Sequence, residues 1–173
     1  MSAQDSKLFV ISGPSGAGKG TLVTRVRERR SNLGLTVSAT TRAPRKGEVD
    51  GVNYFFLTRE EFDRRVANGE FVEWAEVHGN CYGTLVSEVT SKLASGASLI
   101  LEIDVQGALQ VKERFPEAVL IFIKPPSLEV LRERLVGRGT ETPETIELRM
   151  ANAADELALA DRYDDVVVND DLD

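Results

Sequence analysis

The chain has 173 residues, 42% of them hydrophobic, which suits one domain with a buried core. Its net charge of −7, from 28 acidic and 21 basic residues, argues against a general nucleic-acid binder or a basic membrane-surface protein. A single cysteine (Cys81) excludes an intrachain disulfide and a cysteine metal cluster, and a single histidine (His78) removes the Ser–His–Asp and His-ligated metal classes. Any anion handled here must therefore meet a local cluster of Lys and Arg.

The polar start, Ser2-Ala3-Gln4-Asp5, has no signal-peptide character, and the longest apolar runs are strand-sized. A soluble, cytoplasmic protein is the expectation. The first strand, Leu8 to Ile11, breaks into Ser12-Gly13-Pro14-Ser15-Gly16-Ala17-Gly18-Lys19-Gly20-Thr21, then into a helix to about Arg30. That is the strand–loop–helix context of a phosphate loop. Its glycines let backbone N–H groups curl around one anion, and the helix N-terminus adds partial positive charge. Lys19 supplies a full charge to the β- and γ-phosphates. Ser or Thr usually follows that Lys; here Gly20 stands there and the hydroxyl comes one place later, on Thr21, as the candidate Mg²⁺ contact.

Leu35 to Thr40 reads as the second strand, feeding the charged, turn-rich stretch 41–51. The stretch is either an anion site or a solvated basic loop. Asn53 to Leu57 is a short strand; Thr58 with Glu61 is a capping box for a helix through about Ala67. Strict alternation over Glu70 to Val77 places Phe71, Glu73, Ala75 and Val77 on one face, making Glu73 the odd carboxylate of an apolar set. It is either at a strand end in water or paired with donors. His78-Gly79-Asn80 is a turn, followed by a helix from about Val86 to Ala94. Ser98 to Val105 is a buried parallel strand with Glu102 and Asp104 on one face of its acidic end. Then come helix Gln106 to Phe115, strand Val119 to Ile123, a Pro125-Pro126-Ser127 break and helix Leu128 to about Val136. Gly137-Arg138-Gly139-Thr140 suggests a mobile flap. Thr142 caps a helix with Pro143 at its first position, running to about Ala160 and presenting Arg149, and Tyr163 to Asn169 is the last strand. Strand–helix alternation predicts an α/β fold with a parallel sheet and its ligand at the strands' carboxyl ends.

Taken together, the phosphate loop, Thr40 to Phe56 (TTRAPRKGEVDGVNYFF with its leading Thr40), Gly79 to Thr84, Glu102-Ile103-Asp104-Val105-Gln106-Gly107, Gly137 to Thr140 and Val168 to Leu172 resemble guanylate kinase over nearly the whole chain. The resemblance implies a P-loop three-layer fold with a core (1–35, 97–130, 150–173), a small mixed GMP-binding insertion (about 36–90) and a lid (about 134–149). It implies transfer of the γ-phosphoryl group of Mg·ATP to GMP. By resemblance, Gly13 to Thr21 and Asn169 bind ATP, and Ser38, Arg42, Arg45, Tyr54, Glu73, Tyr82, Gly83, Thr84, Glu102 and Asp104 form the GMP site. Lys19, Arg134, Arg138 and Arg149 would surround the transferring group. The residue types agree: Arg42 and Arg45 offer planar forks for a phosphate, and Glu73 can accept from guanine N1–H and its exocyclic amine together. The acceptor is a phosphate oxygen, whose second pKa is about 6, so no general base is required.

Three departures stand out: Gly20 in place of a hydroxyl, Glu102 where many members have Asp, and a chain that stops at Asp173 where members usually continue into a final helix. Without that helix apolar core surface should be exposed and stability reduced; equal melting temperatures for this chain and an extended one would refute this. The sequence offers two other readings: a non-catalytic interaction module of the same fold, opposed by the intact Lys19, Arg134, Arg138 and glycine-rich loop, and a kinase for another nucleoside monophosphate, suggested by Gly18-Lys19-Gly20-Thr21.

Overall fold

The structure is a computed structural model that describes residues 6–170, so the polar start at 2–5 and the end of the last motif at 171–173 lie outside it. In chain order the elements are β1 (Leu8–Ser12), α1 (Lys19–Arg29), β2 (Leu33–Leu35), β3 (Ala39–Thr40), β4 (Phe55–Phe56), α2 (Arg59–Ala67), β5 (Phe71–Val77), β6 (Asn80–Leu85), α3 (Val86–Ala94), β7 (Ser98–Glu102), α4 (Val105–Arg114), β8 (Val119–Lys124), α5 (Leu128–Gly137), α6 (Pro143–Ala158) and β9 (Asp165–Val168).

Five strands pair in parallel in the order β2-β7-β1-β8-β9. A parallel sheet is covered on both faces, which is why its central strands read as continuous apolar runs. Leu8, Val10, Leu99, Leu101, Leu120 and Phe122 point to one face, where Val89 of α3 and Ala108 and Val111 of α4 cover them. Ile11, Ile100 and Ile123 point to the other, against Val23 of α1. The three-layer α/β fold is thus as expected. On the α1 side the cover is partial: Val167 of β9 is exposed, and a groove of about 480 Å³ runs along Phe9, Val26, Ile121 and Val167.

A second, mixed sheet, in the order β4-β3-β6-β5, has its own small core of Ala39, Phe62, Phe71, Cys81 and Leu85. The chain leaves the central sheet at Leu35 and returns through α3. At that crossing Glu88 accepts from the N–H of Val37 (3.0 Å) and Lys92 donates to the carbonyl of Leu35 (2.8 Å), with Lys92 and Glu88 themselves 2.6 Å apart.

Six sequence expectations are corrected. The strand expected over Leu35 to Thr40 is two, β2 and β3, in different sheets: the clasp on Leu35 and Val37 ends the first ladder, and no local pattern says which sheet each half joins. Phe71 and Glu73 do not share a face. Register shifts between them, Phe71 opposite Leu85 but Glu73 opposite Thr84, so a bulge turns Phe71 into the small core and Glu73 away from it. β7 ends at Glu102, and Asp104, rather than continuing the strand, caps α4 by accepting from the N–H of Gly107 at 2.7 Å. The strands expected over Asn53 to Leu57 and Tyr163 to Asn169 shorten to β4 and β9, and the last helix ends at Ala158. The caps at Thr58, Ser127 and Thr142 form as expected.

Candidate active site

β1 lies between β7 and β8, so the loop that leaves Ser12 opens at the carboxyl edge of the sheet, where helix N-termini also converge. Residues 13–18 curl there, closed by the N–H of Ala17 donating to the carbonyl of Pro14 (3.1 Å). Two glycines are dictated by space. A Cβ on Gly13 would overlap the carbonyl of Ile123, and one on Gly18, at φ 87°, would overlap the side-chain amide of Asn169. Lys19 opens α1 and its ammonium donates to the carbonyl of Gly13, folded back over the loop. Burial lowers its pKa, while Glu156, Glu102 and Asp104 pull it up.

A second cluster forms on the mixed sheet. Glu73, buried at 9% exposure, accepts from the hydroxyl of Thr84 across the β5–β6 ladder at 2.8 Å. Burial raises its pKa, and the nearby Asp104 charge adds to that. Its Oε2 lies 3.2 Å from where a Cβ on Gly107 would stand, so the carboxylate rests on the first turn of α4. Tyr82 shares the Thr84 face, with its ring 6.2 Å from that of Tyr54. Arg42 stacks over the Tyr54 ring at 5.3 Å. The carbonyl of Ser38 pins the N–H of Phe55 (2.8 Å), bringing the 41–54 loop to this cluster. Arg45 is exposed on that loop. Gly83 is different: the space of its missing side chain is filled by the ring of Phe71 and the carbonyl of Glu73, on the face away from Thr84.

Glu102 is not with Glu73. It stands at the carboxyl end of β7 beside the phosphate loop, its Oε1 3.6 Å from a notional Cβ on Gly20. Asp104 lies between the two clusters, within electrostatic reach of both Lys19 and Glu73. The hydroxyl of Thr21 is exposed on the first turn of α1. Among the described residues no three His, Cys, Asp or Glu side chains gather to cage a metal. That donor set fits a hard cation that would be held chiefly by phosphate oxygens and water, with Thr21 as the expected protein contact.

The arginines expected around the transferring group are partly assembled. Arg149 donates to the hydroxyl of Ser15 (2.6 Å) and to Glu141 (2.9 Å), so it already touches the phosphate loop. Arg134 donates to the carbonyl of Asn169 (2.9 Å), and its Nη1, buried, has no partner among the described residues. Arg138 is exposed at the end of α5, within electrostatic reach of Lys19.

The sequence reading missed a structural contact of one expected site residue and two further residues altogether. Asn169, expected near a nucleotide base, spends its amide N–H on the carbonyl of Ala17 (2.7 Å) and so braces the loop. Tyr163, edge-on to Phe122 at 5.1 Å, shares a buried hydrogen bond with Ser12 at the root of the loop. Glu156 faces Lys19 from α6, and burial raises its pKa. Only the last had a local signal, since Arg149 and Glu156 are seven apart on one helix face.

Residues 5–173 match the family model described as guanylate kinase. The chain is 59% identical over 167 residues to a guanylate kinase of Gloeobacter violaceus, covering 96% of this chain and 82% of that one. It is 54% identical over 172 residues to a guanylate kinase of Halalkalibacterium halodurans, covering 99% and 84%. Among solved structures it resembles guanylate kinase from Anaplasma phagocytophilum, with a TM-score of 0.71 at 38% identity, over 98% of this chain and 79% of that one.

Proposed function

The chain belongs to the guanylate kinase family and catalyses the ATP-dependent phosphorylation of GMP to GDP, and from that premise we propose how its residues divide the work. The observation that carries the division is the pairing of a lysine-bearing phosphate loop with a buried carboxylate on a separate sheet, Asp104 between them. We assign 1–35, 97–130 and 150–173 to a core, about 36–90 to a GMP-binding insertion and about 134–149 to a lid.

The backbone of Gly13 to Thr21 and Lys19 cradle the β- and γ-phosphates of ATP. On the other side Glu73 accepts from guanine N1–H and the exocyclic amine, Thr84 and Ser38 serve O6, and Arg42, Arg45, Tyr54 and Tyr82 hold the GMP phosphate. Adenine would set a lone pair against Glu73, and a mismatch of buried polar groups of this kind discriminates by about 10⁴ or more. An oxygen of the GMP phosphate attacks the γ-phosphorus, and the bond to the β–γ bridging oxygen breaks, releasing ADP. No side chain need take a proton, so catalysis is positioning and charge stabilisation by Lys19, Arg134, Arg138 and Arg149. Arg134 brings an unpaired buried N–H to that task. Mg²⁺ accompanying ATP supplies further positive charge at its phosphates, with Thr21 as protein contact. A cytoplasmic location belongs to the same reading; among the described residues no helix is long and apolar enough to cross a membrane.

The test is ADP release from Mg·ATP with GMP, AMP, UMP and CMP offered separately, repeated with Glu73→Gln. Turnover with GMP alone, lost selectively in the variant, is expected. A variant with unchanged kcat/KM for GMP would remove Glu73 from the guanine-reading role.

A further inference from the structure

Glu48 is the one carboxylate in the 41–54 loop that touches both arginines assigned above to the GMP phosphate. Its two oxygens accept from Nη2 of Arg42 at 2.9 and 3.1 Å, and Oε2 also accepts the backbone N–H of Arg45 at 3.0 Å. The N–H of Glu48 returns to the carbonyl of Arg45 at 3.0 Å, so the turn is closed from both sides. The ion pair is well shielded for a loop, at 13% and 18% side-chain exposure. Nη1 of Arg42 donates to the carbonyl of Ala43 (2.9 Å) and its plane lies over Tyr54. The fork is therefore fixed on three sides while keeping donors to spend on a phosphate.

We propose that Glu48 is a positioning residue for the acceptor: a single carboxylate that aims the Arg42 fork and shapes the Arg45 turn so that both meet the GMP phosphate without reorganising. An unpaired arginine would offer more charge but would have to be ordered when GMP binds; the tethered one has met that entropic cost in folding. The Arg42 guanidinium holds the Glu48 carboxyl below the usual carboxylate range, so the tether stays ionised at neutral pH. The opposing idea is a plug, in which Glu48 occupies the place of the phosphate and must be displaced. The two differ in sign.

This inference rests on Arg42 holding the GMP phosphate, and the experiment separates the two. KM for GMP, KM for ATP, kcat and melting temperature are measured for Glu48→Ala, Glu48→Gln, Arg42→Ala and the Arg42→Ala/Glu48→Ala double variant. Glu48→Ala should raise KM for GMP about tenfold or more, with Gln intermediate because it keeps one acceptor, and leave KM for ATP unmoved. In the Arg42→Ala background the same change should add clearly less than it does in the wild type, because only the Arg45 turn is left for Glu48 to shape. A lower or unchanged KM for GMP in Glu48→Ala, beside a raised one in Arg42→Ala, overturns the positioning role alone. The same penalty in both backgrounds marks a structural residue and also overturns it. An unchanged KM for GMP in Arg42→Ala removes the phosphate-site reading and this inference with it.

Discussion

On the proposed division of the site, a ligand around residues 13–21 would meet main chain and one around 42–84 would meet side chains. The first cradle is made of backbone N–H groups on a loop that the protein's interior holds in shape: Gly13 against Ile123, Ala17 tied to Asn169, Ser12 tied to Tyr163. The second is made of Arg42, Tyr54, Tyr82, Glu73 and Thr84, projecting from a small sheet whose core lies behind them. A main-chain cradle cannot be changed without disturbing the fold. A side-chain cradle can be dismantled one group at a time, with losses that appear in binding.

Gly13→Ala is the severest test of that contrast. Its Cβ would overlap the Ile123 carbonyl, so we expect a loss of about 3 kcal/mol or more in urea unfolding together with activity. Unaltered stability would break the claim that the core dictates the loop. Lys19→Met should cost roughly 10²–10³ in kcat while the melting temperature holds or rises, because the ammonium is partly buried. A fall in both would make Lys19 part of the scaffold.

Glu73→Gln should lower kcat/KM for GMP roughly 10- to 100-fold and spare KM for ATP. It also predicts a pH signature. Since burial raises the Glu73 pKa, the folded apo protein binds the proton more readily than the unfolded chain, and this contribution to stability is lost as pH rises through the raised value. The variant should lack that loss, and on acidification its GMP kinetics should keep only the decline due to protonation of the GMP phosphate, without the further decline expected of Glu73 in the wild type. Parallel stability profiles for the two proteins would sink the assignment. The smallest effect is expected at the brace: Asn169→Ala should cost about 1–2 kcal/mol and raise KM for ATP without touching KM for GMP.

Much of the donor half was legible because its signals are local. A β-branched run, spaced glycines and a lysine at a helix start specify the loop within ten or so residues. Caps at Thr58, Ser127 and Thr142 were equally readable, each being a side chain bonded three residues along. The acceptor half was legible in composition but not in geometry. Alternation put Phe71 beside Glu73, and the bulge that separates them depends on Leu85 and Thr84 of another strand. Asp104 looked like strand because the apolar run gave no stop before it, whereas the helix needed a cap there. The loop's braces were invisible for a plainer reason: Ser12 and Tyr163, and Ala17 and Asn169, lie about 150 residues apart in sequence, beyond any local pattern.

The clasp of Glu88 and Lys92 on Val37 and Leu35 gives the molecule a seam. The chain between β2 and α3 leaves and rejoins the central sheet at that stitch, and it also leans on α4, with Val72 in the main core and the Gly69 carbonyl accepting from Arg114. Chain excursions whose ends meet on a finished scaffold can be lengthened, trimmed or exchanged while the scaffold keeps its topology. On the proposed division, what the molecule accepts is written in a detour of the chain whose two ends meet on the scaffold.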